Sequence, residues 1–480
     1  MIVFYMVLVL GVTTIFWTLV GLTRAVREQY VYYRAARPVL GFTGRRRWLA
    51  RDGFAPGTRR FPSLPSRGRA GRIRRMHGRR RAKPARVLPA DVAVLIAAHN
   101  EALVISETIR TAAALVPLEN MYVISDMSSD DTAEIARKAG VKVLELAPNR
   151  GKAGALAAGI EHFELCRRYQ VVMLLDADTR PARDYLETGL PLFNDPTVAA
   201  VAGRARSITN PTSPNRFGRF LVAYRERLYI VVQLLLKYGQ AAKGANVVSI
   251  VPGFASMYRT TALEKVDVLA PGLVIEDFNM TFELHAKKLG RIAFHPAAAV
   301  AYTQDPDTLS DYTKQVRRWS LGFWQTVRRH RVQAGKFWLA LAVYIVELIL
   351  SCLFFVLLVP VFLVSVLAAV QLQIGHASPE LIALAGLLRP QDVLLGVFLP
   401  DLALTVVAAV SLRRPSILLL APFFPLMRIL DAGICLMVLP RAFSAHSSGV
   451  WTSPARRMQV QPPSAEPLES SAAPGARLSS

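Results

Sequence analysis

The 480-residue chain has few cysteines and few acidic residues. Its three cysteines, Cys166, Cys352 and Cys435, lie far apart, which predicts neither a disulfide framework nor a zinc site. The 34 acidic residues are outnumbered by 58 Lys and Arg, for a formal net charge of +24, yet 52% of the residues are hydrophobic. A disordered chain is not this apolar, and nucleic-acid binding does not explain the apolar runs. The combination is typical of an integral membrane protein with a basic cytoplasmic face.

Two glycine motifs that bind nucleotides are also missing. Gly151-Lys152 lacks the spacing of a Walker A loop, and no G-x-G-x-x-G follows any predicted strand. These absences argue against a P-loop enzyme and a dinucleotide-binding protein.

The positive charge is concentrated in one segment. Residues 45–86 contain fifteen Arg and one Lys against a single acid, Asp52, and so carry +15 of the net charge. The segment is rich in Gly and Pro with little apolar periodicity, which predicts a mostly unfolded linker. It either fixes membrane topology alone or also binds anionic lipid headgroups. We expect no nucleic-acid partner.

Residues 1–20 are uncharged and about as long as a bilayer-crossing helix. They lack the basic start and the small-residue cleavage site of a signal peptide, and Arg24 and Arg27 follow them, so we expect a retained anchor. Because the Arg-rich segment comes after this helix, the positive-inside rule places residues from 24 onward in the cytoplasm.

A second apolar region begins at residue 337. The run 337–370 is too long for one ordinary span and short for two, and Pro360 offers a natural break. The runs 393–412 and 417–439 follow, so we expect four or five spans in total. Charged residues at such depths usually face a protein interior or a polar path; here they are Asp401, Arg428 and Asp431.

Between residue 91 and about residue 330, short apolar runs alternate with helical patterns. This alternation predicts a mostly parallel sheet covered by helices on both faces. The predicted strands are 92–98, 121–125, 141–146, 171–175 and 198–203, and the predicted helices lie near 101–115, 132–139, 152–166 and 182–193. Ligands of open α/β sheets bind beyond the carboxyl ends of the strands, so the residues after each run are the candidates for chemistry.

Asp176-Ala-Asp178 is the most informative of these strand ends. In an extended segment the side chains of residues i and i+2 project to the same side, so two carboxylates crowd one place. A hard divalent cation or a solvated acidic turn would each account for them. At another strand end, Asp126 fits either a binding role or an Asx turn, and Asp131 is expected to cap the helix that follows.

Taken in order, these segments resemble the membrane-bound family 2 glycosyltransferases with a GT-A fold, the group of the cellulose, hyaluronan and poly-N-acetylglucosamine synthases. The segments that carry the resemblance are Ala97-Ala-His-Asn-Glu101, Val123-Ile-Ser-Asp126-Met-Ser-Ser-Asp130, Asn149-Arg-Gly-Lys152, Asp176-Ala-Asp178, Val251-Pro-Gly253-Phe254, Ile275-Glu276-Asp277 and Gln315-Val-Arg-Arg318-Trp319. The opening segment lacks the family's proline and tyrosine, and Ser125 stands where the family has an aspartate.

The resemblance implies a role for each segment. On the donor side it implies a nucleotide site formed by Ala98, Glu101, Asp126, Lys152, Asp176 and Arg318, with Asp178 as the ligand of Mg²⁺ or Mn²⁺. On the acceptor side it implies Asp277 as the general base and an acceptor site formed by Gly253, Phe254, Glu276, Gln315 and Trp319. Two structural explanations stay open: Glu276-Asp277 as the start of a helix, and Arg318-Trp319 as an interfacial anchor.

We therefore expect an α/β GT-A domain flanked by membrane helices. The expected organisation is an anchor at 1–22, a basic linker at 23–90, the catalytic domain at 91–335, three or four spans at 336–441 and a disordered tail at 442–480. The expected location is the plasma membrane, multi-pass, with the catalytic domain in the cytoplasm.

The expected function is inverting, metal-dependent transfer of a sugar from a nucleotide sugar, such as UDP-N-acetylglucosamine, to a growing polysaccharide. Membrane lipids and an export or accessory protein are the expected partners besides the donor and a glycan or lipid-linked acceptor. One alternative is a single transfer to a lipid or polyprenyl-phosphate acceptor. A second is an inactive membrane-tethered sugar-binding protein.

Overall fold

The computed structural model describes residues 2–36, 86–209, 212–375, 378–380, 382–383 and 389–444. The Arg-rich window at 45–86 lies outside these ranges except for its last residue, and so does nearly all of the expected tail.

The elements follow one another as the alternating pattern predicts. The helices are α1 (Ile2–Leu10), α2 (Val12–Ala36), α3 (Ile105–Ala112), α4 (Thr132–Lys138), α5 (Gly151–His162), α6 (Leu165–Arg168), α7 (Tyr185–Gly189), α8 (Arg216–Ile230), α9 (Tyr238–Gln240), α10 (Thr260–Leu263), α11 (Glu276–Ala286), α12 (Leu309–His330), α13 (Lys336–Gln373), α14 (Pro390–Leu412) and α15 (Phe424–Ser444). The strands are β1 (Val92–Ala98), β2 (Met121–Asp126), β3 (Lys142–Leu146), β4 (Val171–Asp176), β5 (Arg180–Pro181), β6 (Val198–Ala202), β7 (Arg204–Ser207), β8 (Ala255–Arg259), β9 (Arg291–Ala293) and β10 (Val300–Thr303).

Seven strands form one mixed sheet in the order β3-β2-β1-β4-β8-β6-β9. Strands β1 to β4 pair in parallel, whereas β8 runs antiparallel to both of its neighbours. Every residue of β1 is buried, as expected for a strand covered on both faces. A separate three-stranded sheet has the order β5-β10-β7. The predicted α/β architecture is confirmed, and the carboxyl ends of β1, β2 and β4 share one edge.

Three helices in the described ranges are long and apolar enough to cross a membrane. They are α13, α14, and the segment Pro415–Ser444, which joins a 3₁₀ turn to α15. The expected break at Pro360 is wrong, because α13 is one helix of 38 residues with the proline inside it. A bent proline-containing helix is tolerated when neighbouring groups satisfy the freed backbone carbonyl.

The N-terminal anchor is not one straight helix. Helices α1 and α2 meet at an angle of 70° at Gly11, so the pair is either a broken span or a re-entrant turn. With the bent pair counted as one span, the described residues hold up to four candidate spans by length and composition. The break is stabilised by Glu347 of α13, which accepts hydrogen bonds from the backbone N–H of Thr13 at 2.8 Å and from its hydroxyl at 2.6 Å.

Helix α2 also continues past the expected end of the anchor at residue 22. Its second half contacts the α/β domain: Arg24 donates to the carbonyl of Tyr238 at 2.9 Å, and the Tyr238 hydroxyl donates to Glu28 at 2.7 Å. Residues 23–36 of the expected linker thus belong to this helix.

Charged side chains of the last two helices are held within the protein. Asp401 pairs with Arg227 of α8 at 2.6 Å and with Arg428 at 3.3 Å. Two tyrosines, Tyr224 and Tyr312, donate to the carboxylate of Asp431 at 2.9 and 2.7 Å. A buried charge is tolerated only when it is paired and hydrogen-bonded. These contacts join α14 and α15 to the α/β domain.

Candidate active site

Lys152 forms the centre of an ion cluster at the carboxyl edge of the large sheet. Its Nζ lies 2.7 Å from Oδ1 of Asp176 and 2.8 Å from Oε1 of Glu276. The three residues come from the first turn of α5, the end of β4 and the first turn of α11. Residues far apart in sequence are thus brought to one point by the strand–helix crossovers.

The charges of this cluster shift one another's pKa values. Burial opposes the ionised form of Glu276, but Lys152 outweighs it and lowers the pKa of Glu276. Burial likewise opposes the charged form of Lys152, and the two carboxylates outweigh it and raise the pKa of Lys152. The ammonium group is therefore charged at neutral pH. One cation between two carboxylates fixes the first turn of α11 against the end of β4.

Asp277 follows directly and has a different environment. Its Oδ2 accepts the backbone N–H of Gly253 at 3.3 Å, and its Oδ1 accepts that of Phe278 at 2.7 Å. Burial, followed by the negative charge of Glu276, raises the pKa of Asp277 to about 7. A carboxyl group that titrates near neutral pH is suited to accept a proton from a substrate.

Gly253 lets these side chains come together. A Cβ on this residue would lie 3.0 Å from Oε1 of Glu276 and 3.1 Å from Nζ of Lys152. The next residue contributes its backbone, since the carbonyl of Phe254 accepts the N–H of Asp176 at 2.9 Å. The absence of a side chain at residue 253 is therefore part of the geometry of the cluster.

Asp178 lies two residues beyond Asp176 and is buried, with the Thr179 hydroxyl 3.3 Å from its Oδ1. Carboxylate oxygens are what a hard divalent cation prefers, and magnesium-type ions combine one or two of them with substrate phosphates. Among the residues that the structure describes, no three His, Cys, Asp or Glu side chains come close enough to hold a metal. A cation here would need oxygens from the diphosphate as well.

Asp126 is fully buried at the end of β2. Its Oδ1 accepts the backbone N–H of Arg150 at 2.8 Å, from the loop before α5, so the carboxylate joins two loops rather than forming a local Asx turn. Its Oδ2 is buried and lacks a hydrogen-bond partner in the described ranges. Burial raises the pKa of Asp126. An unpartnered buried carboxylate oxygen is suited to a donor such as a hydroxyl or an N–H of a ligand.

The other donor-side residues lie around the same edge. Ala98 is the last residue of β1, and Glu101 is buried in the loop that follows, with its N–H donating to the Thr132 hydroxyl at 2.8 Å. Asp131 occupies the N-cap position of α4, as predicted, but its side chain makes no capping bond, so the predicted side-chain cap is wrong. Instead Asp130 accepts the N–H of Thr132 at 3.1 Å and that of Ala102 at 3.0 Å, which ties the two loops together.

Gln315 and Trp319 lie on α12 and are brought together by Arg225 of α8. The Arg225 guanidinium donates to Oε1 of Gln315 at 2.6 Å and lies 4.5 Å from the centre of the Trp319 ring. The motif search missed Arg225, since the sequence shows only one more arginine in a basic helix. Its nearly complete burial is what marks it, and burial depends on tertiary packing.

Helix α12 also contacts the loop that precedes α11. Oε1 of Gln325 accepts the backbone N–H of Val274 at 3.0 Å, just before α11 begins. The positive charge of Arg318 contributes to the lowered pKa of Glu276. Of the predicted residues in the second half of the domain, Gly253 and Arg318 thus lie near the start of α11, whereas Gln315 and Trp319 contact Arg225 of α8.

Comparisons with known proteins place this domain. Residues 89–322 match the family model described as "Glycosyltransferase like family 2". These residues form a glycosyltransferase domain of family 2 with the GT-A fold, as the motifs predicted.

Curated relatives resemble the chain over about half its length. It is 27% identical to a poly-beta-1,6-N-acetyl-D-glucosamine synthase of Staphylococcus epidermidis over 260 residues, which cover 50% of this chain and 58% of the relative. It is 30% identical to the probable glycosyltransferase YdaM of Bacillus subtilis over 246 residues, 48% of this chain and 54% of the relative. The chain thus spans a little more than half the length of these relatives.

Among solved structures, the chain is similar to a mannosyltransferase from Pyrobaculum calidifontis in complex with GDP-Man and Mn²⁺. The identity is 19% and the TM-score 0.44, over 72% of this chain and 91% of that one.

Proposed function

We propose that the chain transfers a sugar from a nucleotide sugar to an acceptor hydroxyl at a membrane, with inversion at the anomeric carbon. The observation that carries the proposal is the placement of Asp277, a carboxyl group with a pKa near 7, next to the Lys152–Asp176–Glu276 cluster. The curated relatives that bear the name of a sugar-polymer synthase or a glycosyltransferase support the same reaction class.

In this proposal Asp277 is the general base. The acceptor oxygen forms a bond to the anomeric carbon while the bond from that carbon to the diphosphate oxygen breaks, and Asp277 takes the hydroxyl proton. The Gly253 and Phe278 N–H groups hold the carboxylate in place. Attack opposite to the leaving diphosphate inverts the anomeric configuration.

The donor would lie across the ends of β1, β2 and β4. Asp126 offers its unpartnered Oδ2 to the nucleoside, beside Ala98 and Glu101. Lys152 and Arg318 supply positive charge for the diphosphate, and charge stabilisation in a site closed to water is usually the largest catalytic contribution.

Asp176 and Asp178 fit a divalent cation, because both are carboxylates at one strand end next to the proposed diphosphate position. Mg²⁺ or Mn²⁺ bound there would neutralise the charge that develops on the leaving diphosphate. Asp178 would be the protein ligand, since Asp176 is held by Lys152.

We place the chain in the plasma membrane with the domain in the cytoplasm. The three apolar helices support the proposed membrane location, and the basic segment at 45–86 supports the proposed orientation. The leading acceptor is a growing polysaccharide, supported by the synthase relative and by Gln315-x-x-Arg318-Trp319, whose planar ring suits the apolar face of a sugar.

The test is a donor screen with product sizing. The purified full-length protein receives labelled UDP- and GDP-sugars with Mg²⁺ or Mn²⁺, a membrane extract as the source of acceptor, and release of nucleoside diphosphate is measured. We expect release that Asp277→Asn and Asp178→Ala abolish and that Asp267→Asn, a change at a half-exposed surface carboxylate, leaves intact.

Turnover that survives both changes would disprove the mechanism. A ladder of long products supports the polymer, whereas one added sugar on a lipid supports the single-transfer alternative. Sugar binding without any turnover would support the inactive binding protein.

A further inference from the structure

The small sheet carries a row of two arginines around a tyrosine. Tyr302 of β10 is in register with Arg180 of β5 on one side and with Arg206 of β7 on the other. Side chains of residues in register point to the same face, and neighbouring strands are about 4.8 Å apart. The two arginines therefore flank the Tyr302 ring from both sides.

This row lines a pocket of about 280 Å³. We call it the arginine pocket; its walls are Arg180, Arg206, Ser207, Ile208, Thr209, Glu226 and Tyr302. Two of its donor atoms, Nη2 of Arg180 and Nε of Arg206, are buried and lack a hydrogen-bond partner among the residues that the structure describes. An unmade bond from a buried charged donor is costly, so both atoms are suited to an anionic ligand.

The acids near the pocket are already engaged. Glu226 pairs with Arg414 at 2.6 Å. Glu107 lies 3.7 Å from Arg180 but makes shorter bonds of 2.6 and 2.7 Å to Arg110. Glu107 and Glu226 therefore offset part of the positive charge, while Nη2 of Arg180 and Nε of Arg206 keep no hydrogen-bond partner among the described residues.

The arginine pocket lies close in sequence to the proposed metal ligand Asp178 but apart from the proposed donor groups. Arg180 comes two residues after Asp178, so the pocket begins within about 7 Å of chain from that carboxylate. The proposed donor groups lie on the large sheet, whereas the arginine pocket lies on the small one. Arg414 lies two residues after the end of α14, one of the candidate membrane spans, so its bond to Glu226 connects the wall of the pocket to the end of that helix.

We infer that the arginine pocket binds the phosphate group of a membrane lipid that carries the acceptor sugar. This inference rests on the proposed sugar transfer and names the class of acceptor. A phosphate offers several oxygens to two guanidinium groups, which bind such oxygens through charge-assisted bonds. The hydroxyl that attacks the donor belongs to the sugar, so Asp277 keeps its role as the base.

Binding tests the pocket without any need for turnover. Full-length protein in detergent is titrated with a polyprenyl monophosphate, with the matching polyprenol, and with glycerol 3-phosphate. We expect tight binding of the lipid phosphate only. Arg180→Gln and Arg206→Gln should each weaken it about tenfold or more, and the double variant about 100-fold. Arg183→Gln changes an exposed arginine next to β5 and should leave the affinity unchanged.

Retention of nucleotide binding and of the unfolding temperature shows that the variants are folded. Equal affinity for polyprenol, or unchanged affinity in the double variant, would overturn the inference. If glycerol 3-phosphate binds as tightly as the polyprenyl monophosphate, the ligand is not a lipid. The pocket would then be assigned to a soluble phosphorylated acceptor.

The two proposals fail in different ways. If the protein binds the lipid phosphate through the two arginines but turns over no donor, the proposed sugar transfer is disproved and the lipid-phosphate site is supported. If the double variant turns over the donor as fast as the wild type with every acceptor, the pocket does not bind the acceptor. The proposed sugar transfer would still stand.

Discussion

Glu276 lies 2.8 Å from the Lys152 ammonium group, while its neighbour Asp277 accepts backbone N–H groups instead. Two adjacent carboxylates at the start of one helix thus have opposite shifts: the pKa of Glu276 is lowered and that of Asp277 is raised to about 7. Such a pair supports the proposed division of roles, with Glu276 as the structural residue and Asp277 as the proton acceptor. Both residues also lie in the first turn of α11, so the helix-start alternative and the proposed catalytic role are compatible.

The first prediction concerns the pH dependence of transfer. The reaction needs ionised Asp277, so kcat/KM should fall about tenfold per pH unit below pH 7. Glu276→Gln removes a negative charge that raises the pKa of Asp277, so the acid limb should move to lower pH. Rates of nucleotide release measured from pH 5 to pH 9 check this. An acid limb in the same place as in the wild type would contradict the assigned coupling.

The second prediction concerns Gly253. In Gly253→Ala the new Cβ would press on Glu276 and Lys152 at 3.0 and 3.1 Å, and displacement of the cluster should lower kcat about 100-fold. Gly244→Ala is the matched control, because no atom lies within 4 Å of the Cβ it adds. Single-turnover rates and unfolding temperatures of both variants test whether the loss is specific to Gly253→Ala and not caused by unfolding. Full activity in Gly253→Ala would show that the cluster tolerates the shift.

The third prediction concerns Arg225. Arg225→Met removes the bond to Gln315 and the contact with the Trp319 ring, so the acceptor KM should rise about tenfold while the donor KM stays constant. Arg216→Met changes an exposed arginine of the same helix and should alter neither constant. Steady-state kinetics with each substrate varied in turn gives the acceptor KM and the donor KM separately. An effect confined to the donor KM would assign Arg225 to the nucleotide side.

The fourth prediction concerns Glu347. Glu347→Leu removes the acceptor of both Thr13 bonds and should lower the free energy of unfolding by about 3 kcal/mol, while Glu347→Gln, which keeps one acceptor oxygen, should lose less. Thermal unfolding in detergent measures both, with the exposed Val346→Leu as the control. Identical unfolding of Glu347→Leu and wild type would show that the helix break is held by other contacts.

Strand positions were predictable because burial on both faces makes a strand continuously apolar, as in Val92–Ala98. The hydrogen bonds at the start of α4 were not predictable. Asp131 is the N-cap residue, but the neighbouring Asp130 accepts the N–H of Thr132, and it also accepts the N–H of Ala102 from a loop 28 residues away.

Site residues were predictable where the chemistry requires a particular residue type. They were not predictable where tertiary packing determines which residue takes part. A carboxylate pair such as Asp176 and Asp178 is conspicuous in any sequence. Arg225 is conspicuous only once burial and its two partners on α12 are known. The arginine pocket depends on the register of three short strands, which no local pattern shows.

The bond between Thr13 and Glu347 also orders events during synthesis. Thr13 leaves the ribosome 334 residues ahead of its partner, and the whole catalytic domain is made in between. The bend at Gly11 therefore acquires its final partner only after the enzyme domain has emerged. The contact that stabilises the break between α1 and α2 is thus completed late, after synthesis of the domain that lies between the two residues in sequence.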